Sequence, residues 1–178
     1  MYDVVAIGEL LVDFACRSTD DDGYPVLAAH PGGAPANFLA VLARYGLKTA
    51  LLAKVGNDAF GRLLRRTVER EGIDTAGVVV DDAAFTTLAF VTLDENGERD
   101  FSFARKPGAD MLLRYDELDL SLIDRTRVFH FGSVSMTDEP SRDATRRAAA
   151  YARSRGGLLT YDPNLRIPLW KDLAQARQ

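Results

Sequence analysis

Short apolar runs alternate with amphipathic stretches along most of the chain. The runs are rich in β-branched residues, which predicts buried strands at residues 4–7, 49–55, 78–80, 128–131 and 158–161. The first strand is expected to continue outward through Asp13. Because helical patterns lie between these runs, the sequence predicts an α/β fold, with a mostly parallel sheet flanked by helices on both faces.

The amphipathic stretches carry helix start and stop signals. In the first, Pro35 stands in the opening turn, Phe38, Val41 and Tyr45 recur at helical spacing, and Gly46 marks the end.

Two further helices are expected later in the chain. Asp58 is placed to cap one that ends at Gly72. Either Thr137 or Asp138 is placed to cap another, which stops at Gly156.

One segment interrupts the alternation. Residues 86–93 and 99–104 are both strand-like and flank a stretch that contains Asn96-Gly97, which predicts a hairpin. Polar positions such as Thr92 and Asp100 leave one side of it hydrophilic. We therefore expect a small β flap outside the main sheet.

Composition narrows the classes of function. The 178 residues carry 22 Lys and Arg against 26 Asp and Glu, so the net charge of −4 gives no reason to expect nucleic acid or a membrane as partner. The single cysteine, Cys16, allows no internal disulfide. We expect a cytoplasmic protein. His30 and His130 lie far apart, which argues against a metal site, and His130 is expected to be a hydrogen-bonded core residue.

Three familiar catalytic motifs are absent from the sequence. There is no P-loop, no Gly-x-Gly-x-x-Gly after the first strand, and no Gly-x-Ser-x-Gly. Nothing in it therefore predicts a P-loop NTPase, a Rossmann dehydrogenase or an esterase.

Polar residues and glycines stand where strands are expected to end, and ligands of open α/β sheets bind beyond the carboxyl ends of strands. Carboxylates and amides suit the hydroxyls of a polyol, paired glycines let a ring approach the backbone, and arginine suits a carboxylate or a phosphoryl group. The candidates are Asp13, Gly32, Gly33, Asn37, Arg105, Asn164 and Arg166.

Each candidate also has an ordinary structural interpretation. Asp13 suits a strand end in solvent, and Gly32-Gly33 suits a helix-entry turn. Asn164 suits a turn after Asp162-Pro163, and Arg105 suits a surface charge. Spacing alone does not decide between the two interpretations.

Three stretches together resemble the ribokinase-like (PfkB-type) carbohydrate kinases, above all the fructokinases and 2-keto-3-deoxygluconate kinases. One departure is Leu39, where the family signature has a small residue. The stretches are Ala6-Ile7-Gly8-Glu9-Leu10-Leu11-Val12-Asp13, Gly32-Gly33-Ala34-Pro35-Ala36-Asn37 with Gly46 and Gly56-Asn57-Asp58, and Asp162-Pro163-Asn164-Leu165-Arg166.

The resemblance implies a role for each candidate. Sugar hydroxyls would be bound by Asp13, Gly32, Gly33 and Asn37. Phe103 and Arg105 would close on the substrate from the flap. Asn164 would contact nucleotide phosphate, and Arg166 would stand near the phosphoryl group or the acidic end of the sugar. The lid strands would lie approximately within residues 12–30 and 85–105, and they would pair two subunits in a homodimer.

The family also implies ATP and Mg²⁺, but its Gly-Ala-Gly-Asp run and its Asn-x-x-Glu motif are absent from this sequence. We therefore expect the catalytic base to lie beyond Gln178, so that residues 1–178 form the N-terminal part of one kinase domain, inactive by itself. No catalytic residue and no metal ligand is assigned. Two alternatives stay open: a non-catalytic sugar-binding module and a decayed kinase fragment.

Overall fold

A computed structural model of the protein describes residues 1–93 and 99–177, with side chains for 1–92 and 101–177. The strands are β1 Tyr2–Ile7, β2 Leu11–Thr19, β3 Pro25–Gly32, β4 Thr49–Gly56, β5 Ile73–Asp74, β6 Val78–Asp81, β7 Leu88–Leu93, β8 Arg99–Ala104, β9 Thr126–Gly132 and β10 Leu158–Asp162. The α-helices are α1 Ala34–Arg44, α2 Ala59–Arg70, α3 Leu120–Asp124, α4 Ser141–Ser154 and α5 Leu173–Ala176.

The main sheet has the order β10-β9-β1-β4-β5, with β6 also pairing with β4, and every pairing in it is parallel. Alternate residues of β1 point to opposite faces. Val4 and Ala6 join a core under α1 and α2, whereas Val5 and Ile7 join a core under α3 and α4. The predicted α/β architecture, with helices on both faces, is confirmed.

The second sheet has the order β3-β2-β7-β8 and lies outside the main one. Strands β7 and β8 pair antiparallel, as the predicted hairpin requires. The turn predicted at Asn96-Gly97 falls on residues outside the described ones. Strands β2 and β3 form another hairpin, whose turn is held by Asp20 Oδ1 accepting from the N–H groups of Asp22 and Tyr24.

The first strand does not continue through Asp13, as the apolar run suggested. Strand β1 ends at Ile7, and Asp13 lies in β2 of the second sheet. The chain turns at Gly8, and only glycine fits there beside Pro35, because a Cβ at Gly8 would lie 2.6 Å from Pro35 Cγ. The alternation of apolar residues carried no sign of this change of sheet.

Two helix predictions also need correction. The expected stripe on α1 faces solvent in part, since Val41 is 53% and Tyr45 82% exposed, while Leu39 is fully buried. The helix is apolar on more than one face, and packing against β1 and β4 selects the face that carries Leu39. Helix α4 begins at Ser141, later than a Thr137 or Asp138 cap requires.

Other helix signals are confirmed. Asp58 caps α2 by accepting from the N–H groups of Phe60 and Gly61, and α1 ends just before Gly46.

His130 is buried, with its Nδ1 2.9 Å from Thr160 Oγ1, as expected of a core histidine. Among the described residues, no helix combines the length and the apolar character needed to cross a membrane.

Candidate functional site

A cavity of about 110 Å³ lies where the second sheet meets the carboxyl ends of β1, β9 and β10. The first turn of α1 forms another part of its wall. Its lining residues are Glu9, Leu11, Asp13, Gly33, Ala34, Asn37, Phe101, Phe103, Arg105, Val134, Asn164, Arg166 and Leu169.

Asp13 enters the cavity from β2. Burial raises the pKa of this carboxyl, while the positive charges of Arg166 and His30 oppose that rise. A Cβ at Gly32 would lie 2.3 Å from Asp13 Oδ2, so a larger residue there would displace the carboxylate. Gly32 therefore supports Asp13 from β3, although it does not itself line the cavity.

The N-terminus of α1 is capped by a residue of the segment between β1 and β2 rather than by its own N-cap side chain. Gly33 stands at the N-cap position and supplies no side chain. Glu9 Oε1 accepts from the N–H of Ala34 at 3.0 Å, which satisfies one of the free donors of the first turn. Asn37, one turn into the helix, faces the same cavity.

Arg105 is buried and is not the surface charge that its spacing allowed. Its Nε donates to Asp110 Oδ2 at 2.8 Å, and its Nη1 donates to Thr137 Oγ1 at 2.9 Å. A third bond runs from Nη2 to the carbonyl of Val134 at 3.2 Å. These contacts fix the guanidinium between the end of β8 and the loop after β9.

Asn164 and Arg166 follow β10 and are bonded to each other. Arg166 Nη1 donates to Asn164 Oδ1 at 2.6 Å. Asn164 has a φ of 35°, a left-handed conformation that Asn tolerates, and its N–H donates to Asp162 Oδ1 at 3.1 Å. The Arg166 guanidinium also lies 5.3 Å from the ring centroid of Phe101, within reach of a cation–π contact.

The cavity thus brings together seven of the eight candidates named from the sequence and its resemblance. They are Asp13, Gly33, Asn37, Phe103, Arg105, Asn164 and Arg166. Sequence reasoning did not name Glu9 and Phe101 as candidates, although Glu9 lies two residues after the end of β1 and could have been found by the same rule as the others. Among the described residues, no group of three or more His, Cys, Asp or Glu is arranged to hold a metal ion.

Comparison with known proteins is consistent with this geometry. All 178 residues match the pfkB family carbohydrate kinase family. The chain belongs to this family. Its membership of the pfkB family confirms the resemblance drawn from the Gly-Gly-Ala-Pro-Ala-Asn and Asp-Pro-Asn-Leu-Arg stretches.

Curated relatives of this pfkB-family chain include a probable fructokinase-3 from Arabidopsis thaliana, which is 46% identical over 176 residues, or 98% of this chain and 51% of the relative. Fructokinase-1 from Zea mays is 47% identical over 176 residues, or 98% of this chain and 54% of the relative. The chain spans about half the length of the curated relatives that it matches.

A fructokinase structure from Xylella fastidiosa has a TM-score of 0.92 at 32% identity, covering 99% of this chain and 56% of that one. A structure described as the same organism's fructokinase with bound ATP has a TM-score of 0.91 at 31% identity, covering 99% and 57% respectively. These likenesses confirm the predicted ribokinase-like fold.

Proposed function

We propose that this chain provides the sugar-binding face of a fructokinase-type kinase, which transfers the γ-phosphoryl group of ATP to a hydroxyl of a ketose or keto-sugar acid. One observation carries the proposal. Asp13, Asn37 and Arg166 come from three distant parts of the chain and line one cavity. The fructokinase names of the relatives support fructose as the first sugar to test.

The lining suits a small polyol. Asp13 and Asn37 offer an acceptor carboxylate and an amide that both accepts and donates, and vicinal hydroxyls can use both. The rings of Phe101 and Phe103 stack with centroids 6.2 Å apart on the side of the second sheet. They would shield the bound sugar from water, which would otherwise compete as phosphoryl acceptor.

The residues after β10 fit part of an ATP site. Asn164 offers a side-chain amide, and Arg166 carries the charged fork that suits phosphate oxygens. We propose that both contact the phosphates of ATP, with Arg166 also close to the sugar. A structural neighbour described as a fructokinase with bound ATP supports an ATP site in a protein of this fold. ATP would supply the phosphoryl group, and the chain's own residues would orient the acceptor hydroxyl.

The described residues offer a poorer site for Mg²⁺ than they do for the phosphates of ATP. Mg²⁺ is commonly held through one or two carboxylates together with substrate phosphates. The part of the chain that the structure describes contains no group of three or more His, Cys, Asp or Glu that could hold a metal ion. We therefore assign it no ligand in this chain. We also propose that residues 1–178 by themselves bind sugar without turning it over, because the sequence carries no Gly-Ala-Gly-Asp run.

The second sheet, which consists of β2, β3, β7 and β8, is the lid of this proposal. Its outer strands, β3 and β8, each pair with one strand of the described chain. An outer strand of this kind presents free backbone groups that a second copy can pair with. We propose a homodimer through this edge, in a cytoplasmic protein. Sedimentation velocity tests the dimer, and a purely monomeric chain at high concentration contradicts it.

Isothermal titration with fructose, paired with a coupled assay for ADP, tests the function. We expect saturable fructose binding and no ADP release by residues 1–178. Asn37→Ala should weaken binding, whereas Asp22→Asn, at the exposed β2–β3 turn, should bind as the wild type does. A wild-type chain that binds no fructose would reject the proposed site, and steady ADP release would reject the inactivity of these residues alone.

A further inference from the structure

Glu9 leaves one carboxylate oxygen unused inside the cavity. The residue is only 4% exposed and lines the cavity at the end of β1. Its Oε1 accepts from the N–H of Ala34, but its buried Oε2 has no hydrogen-bond partner among the described residues. A buried carboxylate oxygen without a donor is costly, and such atoms are rare in native proteins. This one borders the space where the substrate is proposed to bind.

We infer that Glu9 is a specificity-determining residue that binds the sugar directly, with Oε2 accepting a hydrogen bond from one of its hydroxyls. The inference rests on the proposed function, because it needs a polyol in the cavity. The hydrogen bond from the N–H of Ala34 to Oε1 fixes the Glu9 carboxylate, so Oε2 is a rigid acceptor for a sugar hydroxyl. It therefore selects for a hydroxyl at one position of the sugar.

The raised pKa of Glu9 is consistent with a buried carboxylate whose Oε2 accepts no hydrogen bond. Burial raises the pKa of Glu9 to about 7, against hydrogen bonding from the backbone N–H groups of Glu9 itself and of Ala34 and the charge of Arg105, while Asp110 adds to the rise. Asp13 and Arg166 are the other charged groups on the cavity wall. Near neutral pH Glu9 is therefore partly protonated before a sugar binds.

The proton balance of binding follows from this arrangement. A hydroxyl that donates to Oε2 stabilises the ionised carboxylate and so lowers the pKa of Glu9. Binding near pH 7 must then release protons, and the affinity for fructose must rise as the pH rises through about 7. If the protonated carboxyl instead donated to the sugar, protons would be taken up and the affinity would fall with rising pH.

Charge also bears on the kind of sugar. The charge of Arg105 is already balanced by Asp110 at 2.8 Å. Ionised Glu9 and Asp13 therefore outnumber the remaining cation, Arg166, on the cavity wall. A neutral ketose fits this balance better than a keto-sugar acid, whose carboxylate would meet two others.

The test is fructose titration by calorimetry in buffers of different ionisation enthalpy, on the wild-type chain, Glu9→Gln and Glu69→Gln. Glutamine keeps an acceptor for the N–H of Ala34, and thermal unfolding checks that the variant folds. Glu69 is an exposed glutamate of α2, which makes it the matched control. We expect proton release near pH 7 from the wild type and the Glu69 variant. From the Glu9 variant we expect none, with about tenfold weaker binding at pH 8, the effect of one lost charge-assisted hydrogen bond.

The outcomes separate the inference from the proposed function. If the wild type binds fructose with no proton release or with proton uptake, the inference is wrong and the proposed function stands. Unchanged affinity and proton release in Glu9→Gln have the same consequence. If the wild type binds no fructose, the inference and the proposed function are both rejected. Titration with 2-keto-3-deoxygluconate completes the test, since tighter binding of this acid than of fructose at pH 8 overturns the selectivity assigned to Glu9.

Discussion

Arg105 and Asp110 form a buried ion pair, with Nε and Oδ2 2.8 Å apart and both side chains at most 3% exposed. Asp110 also accepts a hydrogen bond from Oγ1 of Thr87, the residue just before β7, so it links the start of this lid strand to the segment after β8. Arg105 reaches on to Thr137 and the carbonyl of Val134. The pair therefore holds one wall of the cavity in place while its own charges cancel.

Asp110→Ala should strongly destabilise the chain. It leaves the Arg105 guanidinium buried without its counter-charge, and removing one partner of such a pair typically costs about 3–5 kcal/mol. Urea unfolding at pH 7 measures the loss. The matched control is Asp116→Ala, which removes the partner of exposed Arg114 and should change the free energy of unfolding by less than about 1 kcal/mol. Equal effects of the two substitutions would contradict the importance of burial.

Because of Asp58, the free energy of unfolding should depend on pH in the acid range. Burial alone would raise its pKa, but hydrogen bonds from Thr86, Gly61 and Phe60 outweigh burial and lower the pKa below the ordinary 3.8. The stability it contributes is therefore complete above pH 3.8 and is lost as the pH falls through its lowered pKa in the folded state.

Asp58→Ala measures that contribution. At pH 7 it should cost about 1–2 kcal/mol, as expected of a lost helix cap, and the bonds to Thr86 place it at the upper end. The difference from the wild type should shrink as the pH falls below 3.8. Asp119→Ala, which removes the single cap bond of short α3, should cost less. A loss that is the same at pH 7 and at acid pH would show that the carboxylate charge is not involved.

The main sheet was predictable because its strands read as plain apolar runs, and its central strands β1 and β4 are largely buried. The second sheet was harder, since β3 is mostly exposed and has no strong period-two pattern. The change of sheet at Gly8 depends on Pro35, which lies far along the chain. No local pattern records such a contact.

The candidate site, like the fold, has features that the sequence predicts and features that depend on tertiary contacts. Asp13, Asn37 and Arg166 were found because short motifs carry them. Glu9 lies in the same motif stretch as Asp13, but its burial and its contact with the N–H of Ala34 depend on distant parts of the fold and could not be predicted. The burial of Arg105 escaped because it depends on Asp110 and Thr137, and Thr137 lies more than thirty residues away. Tertiary contacts, rather than residue types, set these environments.

Gly33→Ala should harm both stability and sugar binding. Gly33 has a φ of 115°, and a Cβ there would lie 2.3 Å from the backbone oxygen of Glu9, so backbone must move. We expect a loss of at least about 1–3 kcal/mol, the usual cost of such strain. Gly23→Ala is the control, because Gly23 has a φ of 88° but no neighbour within 4 Å among the described atoms. Urea unfolding should show a larger loss for Gly33, and fructose titration a weaker affinity only there.

Asp13→Asn should weaken sugar binding without weakening the fold. A hydroxyl bound to an ionised carboxylate contributes about 1.5–3 kcal/mol, so fructose affinity should fall roughly 10- to 100-fold.

Because burial raises the pKa of Asp13 in the folded chain, its ionisation costs stability as the pH rises through that pKa. The neutral amide escapes this cost, so the melting temperature of the variant should rise relative to the wild type between pH 3 and pH 7. Asp22→Asn, at the exposed turn, should change neither property. If Asp13→Asn binds fructose normally, the carboxylate does not contact the sugar. A stability loss at pH 7 would mean instead that Asp13 is structural.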